Sequence, residues 1–404
     1  MTNSSNLTVA INGWFYHQIN TGSGQYLHYL VSALGKIAPD LQLMLIVPKV
    51  HGSYEKTEIP NQPHVKIIST KDYPIFNSPT GLKAQLYKVW FEQVVFPSMA
   101  NKIGADVAHV PYFGSAMFPK ITTVATIHDV IPIVLPEYRG GVMGRLYTKL
   151  VSVAAKRANL ILADSESSRQ DILHHLHIMS NKVRTVYLAA APHYGSPKKT
   201  DIQSYLKRKY NLPQNYVLYI GGYDVRKNVS VLLRAWAKVI TTNTDFTGFQ
   251  NLTGLRLVLA GKIPTQDTPF FPNPLKTANQ FGIADSIVTP GWIDESDKPL
   301  MYQAAQLFVY QSRYEGFGLP VLEAMSCGTP VITSNVSSIP ELVNSAGVLI
   351  APDDVDGLSQ AIIKLLTDHE FYKSMVEQGY KQASTFTWEK TAMQTWQAYI
   401  DIGI

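Results

Sequence analysis

The sequence predicts an α/β protein made of two doubly wound, Rossmann-like domains. Three observations carry that prediction. Short apolar runs alternate with amphipathic helical stretches along the whole chain, the pattern of parallel sheets covered on both faces. The runs fall into two sets, parted near residue 195 by APHYGSPKKT (191–200), which has no periodicity and is rich in linker residues. The length, 404 residues, suits two ordinary domains.

The first set of runs is Leu7–Asn12, Leu41–Val47, Val65–Ser69, Asp106–Val110, Thr123–Ile127, Leu160–Ala163 and Val183–Leu188. A helix over Gln25–Leu34 follows its first member. After the linker, Asp201–Tyr210 reads as a short helix ahead of Pro213. The second set is Tyr216–Ile220, Leu255–Ala260, Ser286–Thr289, Leu307–Tyr310, Pro330–Thr333 and Val348–Ile350. A helix over Leu358–Leu366 comes next, and Trp388–Ile400 places Trp388, Met393, Trp396 and Tyr399 on a helical repeat expected to pack into the core. The expected domains are 1–195 and 196–404. The last helix, about 387–401, could pack back on the first of them.

Hydrophobic residues make up 46% and charged residues 16%, which excludes an intrinsically disordered chain. Residues 1–195 hold 17 Lys/Arg against 11 Asp/Glu, and the remainder 18 against 19. The basic first half is either a solvated surface or a face for anionic partners or a membrane. Cys327 is the only cysteine, so neither an intrachain disulfide nor a cysteine zinc site can form. Asn3-Ser4-Ser5, Asn6-Leu7-Thr8 and Asn251-Leu252-Thr253 match the N-glycosylation pattern, and without a signal peptide they read as chance. No apolar run reaches the roughly 18 residues that span a bilayer, so the expected location is cytoplasmic, or peripheral on the inner membrane face.

Ligands of doubly wound sheets bind outside the carboxyl ends of strands, where helix N-termini present N–H groups. Four loops lie at such places. Thr21-Gly22-Ser23-Gly24 would let the backbone approach an anion, or would simply make a tight turn. His128, ending a strand beside Asp129, could bind a sugar hydroxyl or be a satisfied core histidine. Gly221-Gly222-Tyr-Asp-Val-Arg226-Lys227-Asn228 sets two cations before a helix, which suits a diphosphate; Asn228 is the expected N-cap. In Glu315-Gly316-Phe317-Gly318-Leu319-Pro320-Val321-Leu322-Glu323, two acids lie eight apart, roughly 12 Å along a helix, and could reach both ends of an elongated ligand. The N–H groups of Gly318, Leu319 and Val321 would face phosphates.

EGFGLPVLEAMSCGTPV resembles the Glu-x₇-Glu signature of retaining glycosyltransferase family 4, which has the GT-B fold. Gly221–Asn228 resembles that family's diphosphate site, Thr126–Asp129 its strand-end histidine, Ser165–Arg169 its SxxSR helix start, and Ser334-Asn335 with Pro340-Glu341 a further loop. Trp90-Phe91-Glu92-Gln93 with Pro97 is similar more loosely. The resemblance implies two Rossmann-like domains facing across a cleft. Arg226 and Lys227 would bind the donor diphosphate, Glu315 would sit beside the transferred sugar, and Glu323 would accept from ribose hydroxyls. The loop of Gly316, Phe317, Gly318 and Leu319 would line sugar and phosphate, Gly22 and Gly24 would close over the phosphates, and His128 would contact the sugar. Val288–Gly291 resembles the base-binding stretch loosely. Gly222 stands where many members carry Arg, so charge compensation falls on Arg226 and Lys227.

The implied enzyme is a hexosyltransferase that uses a nucleotide sugar, UDP-glucose ahead of GDP-mannose, and a saccharide or lipid-linked saccharide acceptor in surface polysaccharide synthesis. Same-face attack is implied, with the departing phosphate taking the acceptor proton. The other readings are a phosphorylase or epimerase on the same architecture, or a silent nucleotide-sugar-binding protein. No cofactor, metal or nucleic acid is expected. Asp354-Val355-Asp356 reads as helix capping rather than a metal motif, and His174, His175 and His177 as surface histidines. Leu82–Ala100, with Lys83, Tyr87, Lys88, Trp90 and Phe91, and Arg145–Arg157 could rest on an anionic membrane or pack on the sheet.

Overall fold

The computed structural model describes residues 7–49, 63–71, 81–195, 201–242 and 254–403. The asparagines of the three glycosylation-like triplets and linker residues 196–200 lie outside the described residues. The chain forms two compact units. One comprises the chain up to Leu188 together with Thr387 onward; the other is Ala189–Phe386.

The first unit is built on a parallel sheet of seven strands: β1 (Thr8–Asn12), β2 (Gln42–Val47), β3 (Val65–Ser69), β4 (Val107–Val110), β5 (Thr122–Ile127), β6 (Leu160–Ala163) and β7 (Val183–Thr185). Their order is β3-β2-β1-β4-β5-β6-β7, so the winding reverses between β1 and β4. Central strands read as unbroken apolar runs because helices cover both faces: Val9, Ile11, Leu45, Val107, Val124 and Ile127 are fully buried.

The second unit holds six parallel strands: β8 (Tyr216–Ile220), β9 (Arg256–Ala260), β10 (Ile287–Gly291), β11 (Leu307–Tyr310), β12 (Val331–Ser334) and β13 (Val348–Ile350). The order β10-β9-β8-β11-β12-β13 puts the reversal between β8 and β11. Helix Val229–Thr241 turns Val231, Leu232, Ala235, Trp236 and Val239 inward. The Trp236 indole N–H still finds a partner, the Ser286 hydroxyl at 2.9 Å.

Every run marked in the sequence is a strand. Most ends coincide and most of the rest shift by one residue; Val183–Leu188 contracts to end at Thr185, and Ser286–Thr289 becomes Ile287–Gly291.

The units differ from the sequence reading in their boundary. The division falls after Leu188 rather than near 195, because the following turn packs with the second unit. Tyr194 is buried there, its hydroxyl donating to Glu295 (2.9 Å) and its carbonyl accepting from the Cys327 thiol (3.3 Å). The terminal helix, Trp388–Gly403, belongs to the first unit. Trp388 stacks on Tyr29 (5.3 Å, 27°), and the Tyr399 hydroxyl is hydrogen-bonded to His109 Nδ1 at 2.6 Å. Its buried face carries Trp388, Ala392, Thr395 and Tyr399, whereas Met393, expected in the core, is 58% exposed.

Candidate functional site

Ligands of doubly wound sheets gather where the strand order reverses. In the second unit that place is the carboxyl ends of β8 and β11, and there the structure assembles a charged cluster. Arg226 and Lys227 occupy a single helical turn, Val225–Lys227, after β8; Glu315 follows β11. Arg226 Nη1 lies 2.7 Å from Glu315 Oε2, and Lys227 Nζ lies 2.7 Å from Glu315 Oε1. Each cation thus holds one carboxylate oxygen. Arg226 also donates to the Tyr314 carbonyl (2.8 Å) and faces Asp224 at 3.6 Å. Lys227 donates to the Tyr310 hydroxyl and sits 4.8 Å from the centre of that ring.

Burial alone would raise the Glu315 carboxyl, but Lys227 and Arg226 outweigh it and hold it down to about 2. The loop around it is fixed from β12's side. Glu315 N–H donates to Ser337 Oγ (2.9 Å), and the Ser338 hydroxyl bonds the carbonyls of Glu315 (3.0 Å) and Phe317 (2.9 Å).

Helix Leu319–Ser326 starts from Gly318 in the left-handed region, φ +106°. A Cβ there would lie 2.6 Å from Ile339 Cδ1, so only glycine fits. Gly316 and Leu319 are partly exposed in this loop. Two expectations change here. The Val321 N–H is spent on the Gly318 carbonyl (2.9 Å) and cannot serve a phosphate. The Phe317 side chain is buried against Phe386 (5.8 Å, 76°), leaving only its backbone for a ligand.

Glu323 has a separate set of partners. Its Oε2 accepts from the Tyr302 hydroxyl at 3.0 Å. Burial raises its carboxyl to about 7, against the pull of Lys298 and with the push of Glu295. Gly222 is exposed next to the cations, its carbonyl accepting from Tyr219. Val288 lies mid-strand in β10, paired with Val258 of β9 and two strands from β8, rather than with the Arg226 cluster. Asn228 precedes its helix in the left-handed conformation, φ +55°, which turns its side chain away from capping; its amide donates to the Pro352 carbonyl instead (2.7 Å). Asp354 caps helix Val355–Thr367 by accepting from Gly357 N–H at 2.8 Å, and Asp356 pairs with Lys238.

In the first unit, His128 follows β5 with Nδ1 2.7 Å from Asp164 Oδ2. Burial lowers its pKa, but the Asp164 charge and hydrogen bond, Asp129 and the Pro111 carbonyl outweigh burial, so the net shift is upward. The neighbouring helix start has three jobs. Ser165 Oγ caps Ser168 N–H (2.9 Å), the Ser168 hydroxyl holds the His128 carbonyl (3.0 Å), and Arg169 Nε ties down Val183 of β7 (3.1 Å). Tyr26 sets its ring edge-on to His128 (5.0 Å, 84°).

The two glycines of the first loop divide. Gly24 is demanded by packing: a Cβ would sit 2.0 Å from the Gln18 carbonyl oxygen, and its N–H is taken by Thr21 Oγ1 (3.2 Å). Gly22, at the helix start, is exposed and a Cβ there would meet nothing within 4 Å.

Sequence reasoning passed over Glu92. It lies in the π-helical turn Phe91–Val95, 1% exposed, and accepts from the Tyr147 hydroxyl at 3.1 Å. Burial lifts its carboxyl to about 7, against Lys88 and its hydrogen bonds to tyrosines. The only sequence signal was its place in the WFEQ stretch, where a π turn breaks the usual helical period.

Each unit matches a known family. A family model described as Glycosyltransferase Family 4 matches residues 20–192, and one described as Glycosyl transferases group 1 matches residues 203–382. The chain is 34% identical to O-antigen chain mannosyltransferase B of Escherichia coli, over 68% of this chain and 69% of that protein. It is 30% identical to the serotype-specific mannosyltransferase WbdA of Escherichia coli, over 67% of this chain but 32% of WbdA, so it spans about a third of that relative. Among solved structures it is similar in fold to sucrose-phosphate synthase from Thermosynechococcus elongatus, with TM-score 0.71 and 20% identity, covering 98% of this chain and 99% of that one.

Proposed function

Because the chain belongs to the glycosyl transferases group 1 family and is a glycosyltransferase, we propose that it transfers mannose from GDP-mannose, with retention, to a saccharide or lipid-linked saccharide in surface polysaccharide synthesis. The observation that carries the chemistry is the clamp of Arg226 and Lys227 on Glu315 at the β8/β11 reversal. Two fixed cations there oppose the charge that develops on a departing diphosphate, and such donors contribute roughly 3–4 kcal/mol each in a preorganised site. Mannose is preferred over the glucose that the sequence put first because two relatives at 30% identity or more bear mannosyltransferase names.

In this reading the bond from the sugar's anomeric carbon to the diphosphate oxygen breaks and a bond from the same carbon to the acceptor oxygen forms. The acceptor's proton passes to the departing β-phosphate. Glu315 is a poor candidate for either base or nucleophile: both its oxygens are engaged by cations and its carboxyl is held near 2. It serves to place Lys227 and Arg226 and to accept from sugar hydroxyls. Charge neutralisation is assigned to the two cations, so transfer is expected to survive EDTA.

The test is a donor screen with GDP-mannose, UDP-glucose and other nucleotide sugars, followed by thermal shift and by release of nucleoside diphosphate. Stabilisation and turnover with GDP-mannose support the reading. Turnover with UDP-glucose alone would overturn the choice of sugar, and no response to any nucleotide sugar would overturn the site.

We also propose peripheral membrane contact through helices Gly81–Trp90 and Val142–Ala155. Among the described residues no helix is long and apolar enough to cross a membrane. The aromatics expected at that face turn inward, Tyr87 and Phe91 packing on Trp14, while Leu82, Leu86, Val142, Met143 and Leu146 are each at least 45% exposed, beside Lys83, Arg145 and Lys149. Failure to sediment with phosphatidylglycerol vesicles at low salt would dispose of this contact.

A further inference from the structure

Three buried tyrosines of the second unit spend their hydroxyls on backbone. Tyr216 donates to the Met301 carbonyl (2.8 Å), Tyr223 to that of Leu259 (3.0 Å) and Tyr219 to that of Gly222. Tyr302 differs. It is fully buried in helix Lys298–Ala304, and its hydroxyl donates to a carboxylate, Glu323 Oε2, at 3.0 Å. Resting on the reading above, we infer that Tyr302 is a positioning residue, which holds Glu323 toward the pentose of the donor nucleotide and makes the site selective for ribose over deoxyribose.

Packing alone does not call for that hydroxyl. The Tyr302 ring meets Phe308 edge-on (5.2 Å, 83°) and Tyr194 at a tilt (6.0 Å, 57°), contacts that a phenylalanine makes equally well. Its backbone is tied down separately, the Tyr302 carbonyl accepting from the Thr329 hydroxyl at 2.7 Å. The other flank of Glu323 is closed by Tyr194. That hydroxyl contacts the Glu323 carboxyl and donates to Glu295 Oε1 (2.9 Å), while Lys298 pairs with Glu295 Oε2 (2.5 Å). The Glu323 side chain is therefore ordered before any ligand arrives.

Glu323 belongs to helix Leu319–Ser326, whose leading loop carries Glu315. A carboxylate has about four acceptor positions on its two oxygens. Tyr302 takes one and Tyr194 flanks a second, which leaves two for a pair of neighbouring hydroxyls. The vicinal diol of a ribose supplies such a pair. A sugar without them leaves a nearly buried carboxyl short of partners, the mismatch that polar sites reject most strongly. Without the Tyr302 hydroxyl the carboxyl turns freely about its own torsions, and each binding event must order it again.

The test measures by calorimetry the binding of GDP and UDP, each beside its dideoxyribose form, to the full chain and to Tyr302→Phe, Glu323→Asp and Tyr216→Phe. The parent should prefer the ribose form by about tenfold or more. Tyr302→Phe should bring that preference close to one and raise the donor KM by a similar factor with kcat held. Glu323→Asp, which draws the carboxyl back by one methylene, should lose the preference too. Tyr216→Phe removes a hydroxyl from a backbone carbonyl and controls for stability alone: its melting temperature should fall and its preference stay. The groups facing Glu323 are Lys298, Glu295, Tyr302 and Tyr194, and burial lifts its carboxyl to about 7. The parent's preference should therefore grow as pH climbs through that value and stay flat in Tyr302→Phe; both nucleotide forms carry the same diphosphate, so phosphate titration cancels in the ratio. Equal binding of the two forms by the parent, a preference kept in full by Tyr302→Phe, or an equal loss in Tyr216→Phe overturns the inference and leaves the proposed function standing. If Tyr302→Phe fails to fold, Glu323→Asp decides in its place. Binding of neither diphosphate to the parent overturns both.

Discussion

Lys227 and Glu315 meet at 2.7 Å across the carboxyl ends of neighbouring strands, and each side chain is only 11% exposed. Arg226 completes the group on the other carboxylate oxygen. A buried acid between two cations is strongly coupled: each partner is tolerable only because the others are there.

Removing the acid should therefore do more than stop transfer. Glu315→Ala leaves two nearly buried cations facing each other and is expected to destabilise the free protein by about 3 kcal/mol. A nucleoside diphosphate brings replacement negative charge. GDP should then raise the melting temperature of Glu315→Ala by more than it raises that of the parent, while transfer is lost. Equal shifts in both proteins would place the diphosphate away from Arg226 and Lys227.

The buried acids predict opposite slopes of stability with pH, Glu315 against Glu92 and Glu323. Glu315 falls from 4.5 to about 2 on folding, so its contribution is complete above 4.5 and is lost as the pH drops through about 2. Glu92 and Glu323 rise from 4.5 to about 7, so the folded state holds their protons more tightly. Stability is lost from both as pH climbs between those values. The groups facing Glu92 are Lys88, Tyr147 and Tyr112. Urea unfolding from pH 3 to 8 should show both limbs; Glu92→Gln and Glu323→Gln should each flatten the alkaline one, and Glu315→Gln the acid one. An unchanged alkaline limb in both variants would sink the assignment.

Strands were legible because continuous apolar runs have few other uses, and the cation loop because glycines, Arg226 and Lys227 sit directly after one of them. What the residue pattern hides is partnership. Lys227 and Glu315 are 88 positions apart and meet only because β8 and β11 are neighbours in the sheet. Glu92 gave little signal, since an acid beside aromatics on a helix reads as surface until a π turn is known to rotate it inward. The amphipathic face of the terminal helix was readable, but nothing in its spacing said which unit it covers. Gly24's packing role was hidden as well, since its need for glycine comes from the Gln18 carbonyl, which the sequence does not place beside it.

That contrast gives a paired test within one loop. Gly24→Ala forces a Cβ to within 2.0 Å of backbone and should destabilise by about 1–3 kcal/mol, visible as a lowered melting temperature. Gly22→Ala meets nothing and should leave stability within about 0.5 kcal/mol. If the loop closes over donor phosphates, Gly22→Ala lowers kcat/KM for the donor all the same. Full activity in Gly22→Ala would leave the loop a plain helix start.

His128 offers the sharpest check on the first unit. Asp164 offsets the burial that would otherwise drive the imidazole below its usual 6.5, so His128 should titrate above that value by NMR. Its charged form is stabilising below 6.5, and that contribution disappears as pH rises through the higher folded value. Asp164→Asn preserves a hydrogen-bond partner for Nδ1 but removes the charge, after which burial should dominate and the titration should move below 6.5. Because Nδ1 is occupied by Asp164, any contact with a sugar must run through the other nitrogen or the ring edge, and loss of orientation should lower kcat by about tenfold or more. A His128 that titrates identically in both proteins would mean that the Asp164 contact does not govern the imidazole.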